Sequence, residues 1–222
     1  MANNTIQVAE GFTADVFHQL LDLAIKGKGS LPGARSTANG LLRSLNDPEA
    51  AVGRTVANHI ALAGGQGFAT NWGGFLVALV TVPANLAAST FVQARMVACV
   101  AHLRGYDLDD PRVRTAILMV MLGPNAGEKL IKQGVLPSTP AMVATAPVFD
   151  AKLDGSVSRA LLERAMNFVG GKRLGVTLAK KIPIIGGGVG AAVDGVLTHG
   201  IAQYAVLALP SRRPKLTART TP

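Results

Sequence analysis

The chain has 222 residues, 49% of them hydrophobic but only 5% aromatic, and its 22 Lys and Arg against 13 Asp and Glu give a formal net charge of +9. Charged residues make up 16%, well under the ~25% of an ordinary soluble domain. The apolar excess must therefore be buried in a compact bundle, covered by self-association or a partner, or met by lipid. A single cysteine excludes an internal disulfide and fits a reducing compartment, and a basic chain poor in stacking aromatics argues against nucleic acid and for an anionic membrane leaflet.

Residues 1–11 carry no cation and read as a flexible arm rather than a secretion signal, which points to the cytoplasm. Thr13 is placed to cap a first helix, with Phe17, Leu20, Leu21 and Ala24 at helical spacing and Lys26 at the C-terminal end. A Gly/Ser/Pro turn over 29–33 leads to a shorter helical piece ending near Leu45. Asp47-Pro48-Glu49 is a strong start signal, with Asp47 as N-cap and Pro48 at the first helical position. The helix it opens carries Val52, Val56 and Ile60 and weakens at Gly64-Gly65. His59 stands among apolar residues with no Asp, Glu or Cys at ligand spacing, so it reads as a hydrogen-bonded core histidine.

Residues 72–105 are the stretch around which the chain is organised, close to all-apolar as far as Arg95. An apolar run of 18 or more residues is a candidate membrane span, but two glycines open this one and Pro83 and Asn85 interrupt it. It reads as a buried or membrane-contacting helical hairpin, with one helix over 72–82 and a second over 84–104. The second is apolar almost all round. Gln93 and Arg104 share one side of its wheel, whereas Arg95 falls between Phe91 and Cys99, near His102.

Gly105-Tyr106 closes that helix, and Asp110 with Pro111 opens the next. Gly123-Pro124-Asn125 breaks the pattern before a short polar helix with Glu128 and Lys132. Residues 134–155 read as the least regular part of the chain, with three prolines and no charge over 136–149. They read as a buried connector, the alternative being a wedge dipped into lipid. Ser156 is placed to cap an amphipathic helix with Val157, Leu161, Ala165 and Phe168 on one face. Lys172, Arg173, Lys180 and Lys181 follow with no acid between them. After Pro183, residues 184–209 read as a long apolar helix with Gly187, Gly190, Ala191, Asp194, Thr198 and Ala205 on one small-residue stripe. The basic stretch 210–222, with Arg212, Arg213 and Lys215, reads as a disordered tail.

These elements predict an all-α, single-domain helical bundle with two long apolar helices headed by Pro83 and Pro183: an arm over 1–11, a helical domain over 12–209 and a basic tail over 210–222. Arg95 and Asp194, each costly to bury alone, are expected to pair between the two long helices. The alternative is that Arg95 snorkels to solvent and Asp194 bonds Thr198 or His199.

Val82-Pro83-Ala84-Asn85-Leu86, Gln93-Ala94-Arg95-Met96-Val97, Arg104-Gly105-Tyr106-Asp107 and Asp109-Asp110-Pro111-Arg112-Val113-Arg114 resemble the bacterial EcsC family. Lys181-Ile182-Pro183-Ile184-Ile185-Gly186, Gly190-Ala191-Ala192-Val193-Asp194 and Gln203-Tyr204-Ala205 resemble that family's C-terminal motif. The resemblance covers roughly residues 50 to 209 and implies an all-helical domain, cytoplasmic or membrane-associated, with no established molecular activity. A looser similarity reaches helical, membrane-associated domains appended to some bacterial GTPases.

Catalytic constellations are not found in the sequence: there is no Gly-x-Ser-x-Gly elbow, His-Glu-x-x-His or phosphate-binding Gly-x-x-x-x-Gly-Lys-Ser/Thr. Gly186-Gly187-Gly188-Val189-Gly190 lacks the preceding strand and later acid of a dinucleotide loop. The four histidines are scattered, and Asp107, Asp109 and Asp110 are explained as caps and turns, so neither metal nor cofactor is expected. The expected function is therefore non-enzymatic: a peripheral protein on the inner face of the membrane, bound to anionic lipid or a hydrophobic ligand. Lys172, Arg173, Lys180, Lys181, Arg212, Arg213 and Lys215 would be its lipid contacts. The alternative is a soluble helical module that forms a homo-oligomer or binds a partner protein.

Overall fold

A computed structural model describes residues 15–29, 31–64, 84–179 and 188–213, with side chains for 15–29, 31–63, 86–167 and 195–213. The arm over 1–11, the Thr13 cap, the helix over 72–82, the leading residues Pro83 and Pro183, and the tail beyond residue 213 lie outside the described residues.

Helix α1, Asp15–Lys26, turns Val16, Phe17, Leu20, Leu21, Ala24 and Ile25 inward, the stripe expected from their spacing. The turn after it holds a minimal antiparallel pair, β1 Gly27–Lys28 with β2 Leu31–Pro32. Gly27 has φ 73°, and a Cβ there would stand 2.4 Å from the Leu31 carbonyl oxygen, so only glycine fits. Helix α2, Ala34–Leu45, ends at Asn46 in the left-handed region, whose N–H returns to the Leu42 carbonyl at 2.8 Å. Helix α3, Pro48–Gly64, starts as its sequence signal predicts: Asp47 Oδ1 accepts from the N–H groups of Glu49 at 2.8 Å and Ala50 at 3.3 Å.

Helix α4, Ala84–Leu103, is the axis of the fold. It packs against α1, α2, α3, helix α5 (Pro111–Met121) and the last helix, α9 (Gly188–Ala208). Met96, Val97, Ala98, Cys99, Val100 and Ala101 are all fully buried, which requires neighbours on every side of the helix. Among the described residues, one segment is long and apolar enough to cross a bilayer: Leu86–Leu103, with mean hydropathy 1.3 and 78% of it buried inside the protein. That burial makes α4 the core of a bundle. The described half of the expected hairpin is thus buried by protein.

α4 closes in a Schellman motif. Tyr106 N–H bonds the Ala101 carbonyl and Gly105 N–H the His102 carbonyl, both at 3.0 Å, with Gly105 at φ 87°. Asp110 caps α5 by accepting from Arg112 N–H at 2.8 Å. Helix α6, Pro124–Lys132, follows, and then a single turn, α7, Pro140–Ala144, inside the segment expected to be irregular.

Helix α8, Ala151–Ala179, corrects the Ser156 cap. It begins six residues earlier, with Asp150 Oδ1 accepting from Lys152 and Leu153 N–H at 2.9 and 3.0 Å, while Ser156 Oγ donates to the Lys152 carbonyl within the helix. Gly155 does not stop it, because a helix-interior glycine costs only about 1 kcal/mol and Leu153 and Val157 bury their side chains on either side of it. Residues 210–213 are likewise part of the packed structure: Tyr106 Oη donates to the Pro210 carbonyl at 3.0 Å, and Arg212 N–H bonds the Arg104 carbonyl at 2.8 Å.

Candidate functional site

The most enzyme-like cluster joins α1, α5 and α8. His18 Nε2 lies 2.9 Å from Ser158 Oγ and 3.1 Å from Asp154 Oδ2, and Thr115 Oγ1 is 2.6 Å from Asp154 Oδ1. The Asp154 hydrogen bond raises the His18 pKa above its ordinary value against the opposing effect of burial. A nucleophile relay needs serine and carboxylate on opposite ring nitrogens. Here both meet the same Nε2, and Ser158 is only 2% exposed. The cluster is therefore a strut between three helices. The neighbouring cleft of about 580 Å³ is lined by Asp22, Lys26 and Arg114 among others. Its acid is already engaged, since Lys26 and Arg114 donate to Asp22 at 2.8 and 3.1 Å. Among the described residues, no group of three or more His, Cys, Asp or Glu is disposed to hold a metal ion.

The arginines show a second pattern. Arg104, 7% exposed, donates to the Leu209 carbonyl at 2.9 Å, to the Val206 carbonyl, and to Glu49 Oε2 at 2.7 Å. Arg213 donates to the Leu103 and His102 carbonyls at 2.5 and 3.3 Å, Arg164 to the Met121 carbonyl at 3.2 Å, and Arg112 to the Ala146 carbonyl. Three helix C-termini (α4, α5 and α9) therefore have a guanidinium on their last carbonyl oxygens, where the helix dipole is negative. Part of the chain's large positive charge is structural.

This bears on the residues expected to touch lipid. Arg213 is committed to the end of α4, and the exposed Arg212 lies over the Tyr106 ring, 5.4 Å from its centroid. Lys172 and Arg173 lie on α8 with side chains outside the described residues, as do Lys180, Lys181 and Lys215 altogether.

The expected approach of α4 and α9 is present, with Gln93 Nε2 3.4 Å from Thr198 Oγ1. Gln93 and Arg104 both face α9, as their shared side of the wheel implied. Arg95 instead faces α2, where its Nη2 donates to Thr37 Oγ1 at 2.8 Å, next to Cys99 Sγ on the Ala34 carbonyl and His102 Nε2 on Asn39 Oδ1. The side chain of Asp194 lies outside the described residues.

His59 is the core histidine expected: Nδ1–H donates to the Thr55 carbonyl at 2.8 Å, and burial depresses its pKa to about 4. His59 Nε2, Thr55 Oγ1 and Arg95 Nε are buried without a hydrogen-bond partner among the described residues.

The last feature is an apolar surface. The large hydrophobic side chains exposed among the described residues are Leu45, Val135, Met142, Val148, Phe149, Val196 and Leu207. Four of these seven lie within 135–149, so the exposure is concentrated rather than scattered. Met142, Val148 and Phe149 line one cleft of about 230 Å³ together with the apolar Pro137 and Leu153 and the charged Arg112 and Asp150. This corrects the expected buried connector: only Leu136, Pro140, Val143 and Ala144 of this stretch are buried, and Met142, Val148 and Phe149 face outward, because a lack of charge does not say which side of a segment packs on the bundle.

Together these features define an all-helical bundle around a buried apolar helix, with arginine-capped helix ends and an apolar edge. The chain belongs to the EcsC protein family, whose model matches residues 12–213. The match reaches the ordered Arg213, four residues past the boundary expected for the domain. No curated protein and no solved structure matches the chain.

Proposed function

We propose that this protein is a non-enzymatic peripheral membrane protein that binds anionic lipid at the cytoplasmic face of the membrane. The observation that supports this reading is the concentration of exposed large apolar side chains on a chain of net charge +9. Apolar burial and electrostatic attraction are individually weak anchors that become sufficient together. Flotation with phosphatidylglycerol-containing vesicles tests it: the protein should rise with anionic vesicles, bind less at high salt, and stay at the bottom with phosphatidylcholine alone. Failure to rise with either vesicle refutes the reading.

A second reading, self-association, is favoured by α9, where Val196 and Leu207 are 72% and 78% exposed. They are eleven residues apart, three helical turns, and so share one outward stripe. Sedimentation equilibrium in buffer would show a stable dimer under this reading, one that Leu207→Lys disperses.

A further inference from the structure

We infer that residues 135–149 are a lipid-inserting wedge, with Met142, Val148 and Phe149 entering the boundary between headgroups and acyl chains of an anionic bilayer. This rests on the peripheral-membrane reading and names the surface that performs it. Three observations carry it.

The wedge is rigidly mounted. Leu136, Pro140, Val143 and Ala144 are buried, α7 packs on α5, and Arg112 holds the Ala146 carbonyl from below. Met142 at 62%, Val148 at 74% and Phe149 at 39% exposure therefore sit on a packed base around one cleft.

Its backbone is partly satisfied for lipid, where an unpaired N–H or C=O is costly; the Val148 and Phe149 N–H groups have no partner among the described residues, which holds the insertion at the headgroup boundary where water and headgroups reach them. Pro137, Pro140 and Pro147 have no N–H to satisfy. Val143, Thr145 and Ala146 N–H groups bond the Thr139, Ala141 and Val143 carbonyls at 3.1–3.2 Å, and Thr145 Oγ1 donates to the Ala141 carbonyl at 2.9 Å.

Charge complementarity names an anionic bilayer as the occupant, since the chain carries a net charge of +9 and an anionic leaflet attracts such a surface. The flanks of 135–149 carry Lys129, Lys132 and Lys152 against Glu128 and Asp150. Asp150 is engaged as the cap of α8. The local excess is a single positive charge, so insertion through the wedge gives the contact, and the charge of the whole chain supplies the attraction.

The test compares wild type with the triple variant Met142→Ser/Val148→Ser/Phe149→Ser on phosphatidylglycerol/phosphatidylcholine vesicles. Circular dichroism and thermal melting verify that the triple variant is folded, and Val148→Ser alone takes its place if it is not. A separate Phe149→Trp variant reports insertion by a blue shift beyond the Trp72 background and by quenching with brominated acyl chains. The wedge predicts a loss of partitioning of roughly ten-fold or more in the triple variant, together with the blue shift and quenching. If wild type floats and the folded triple variant floats equally well, or the added indole of Phe149→Trp stays unquenched, the wedge is wrong and the peripheral reading survives. If wild type floats with neither vesicle, both fall. If wild type is a dimer that the triple variant disperses, the edge is a self-interface and the lipid assignment is overturned.

Discussion

Arg104 Nη2 stands 2.7 Å from Glu49 Oε2, while Nη1 of the same guanidinium holds the last carbonyls of α9. One side chain at the end of the central helix thus joins the first turn of α3, the end of α4 and the end of α9. The two sides of the contact are unequal, because the Arg104 side chain is 8% exposed and Glu49 57%. A buried donor to charged or carbonyl groups is worth about 1.5–3 kcal/mol, whereas a solvated partner contributes under about 1 kcal/mol. Arg104→Met is expected to lower the urea unfolding free energy by roughly 3 kcal/mol, and Glu49→Gln by less than about 1 kcal/mol. Equal losses would mean that the ion pair, not the helix cap, is the stabilising contact.

His59 should make the fold acid-sensitive. Its pKa is depressed from 6.5 to about 4 by burial, with nearby Arg95 acting in the same direction. The neutral ring is the form the fold accepts, so its stability contribution is complete above 6.5 and is lost as pH falls from 6.5 to about 4. The shift corresponds to about 3 kcal/mol. His59→Asn keeps a donor toward the Thr55 carbonyl and cannot titrate. Its stability should fall distinctly less across that window than that of wild type, the remaining slope coming from His102, whose pKa burial also lowers, as read by denaturant midpoints at successive pH values.

His18 should act with the opposite sign. Asp154 raises its pKa, so the charged pair is stabilising below 6.5 and its contribution fades as pH climbs through the raised value. Asp154, whose pKa is lowered, loses its part only in acid, below its ordinary 3.8. An NMR titration should place His18 above 6.5 in wild type, and Asp154→Asn should bring it down. A His18 titration unchanged by that substitution would contradict the contact at 3.1 Å.

Cys99 is fully buried against the Ala34 carbonyl, and burial pushes its thiol up to about 12. It should not react with a thiol reagent in the native state. Labelling should begin only with unfolding, its rate following the opening of the α2–α4 interface. Fast labelling of folded protein would show that the interface opens locally.

Removing the start signal of α8 should be modest but local. Asp150→Ala leaves the Lys152 and Leu153 N–H groups without their acceptor and should cost about 1 kcal/mol. Ser156→Ala should cost almost nothing, since the Ser156 hydroxyl bonds a carbonyl inside the helix. Denaturant midpoints of the two variants check the difference.

Much of the bundle was legible from local chemistry. Asp47-Pro48 and Asp110-Pro111 announce helix starts because a cap and a proline act on their immediate neighbours, and both caps form at those positions. The buried stripe of α1 and the all-round apolar character of α4 follow from periodicity, whereas only the packing decides that α4 is buried by protein. The wheel of α4 even separated the Gln93–Arg104 side from the Arg95–Cys99–His102 side. It could not say that the first faces α9 and the second α2, because neighbours around a helix are chosen by the whole packing.

The charges illustrate the same division. From the sequence, Arg212 and Arg213 were equivalent cations of a basic tail. Only the fold turns Arg213 onto the end of α4 and leaves Arg212 exposed over Tyr106, because those carbonyls lie over a hundred residues away along the chain. The uncharged stretch 136–149 was visible as composition, but its inner and outer faces exist only once α7 docks on α5. Composition and periodicity act within a few residues and therefore determined most of the helices and the caps at Asp47 and Asp110, though not the start of α8 at Asp150 or the turn α7. Packing acts between distant residues, and it alone decided which arginines became helix caps and which apolar side chains were left facing outward.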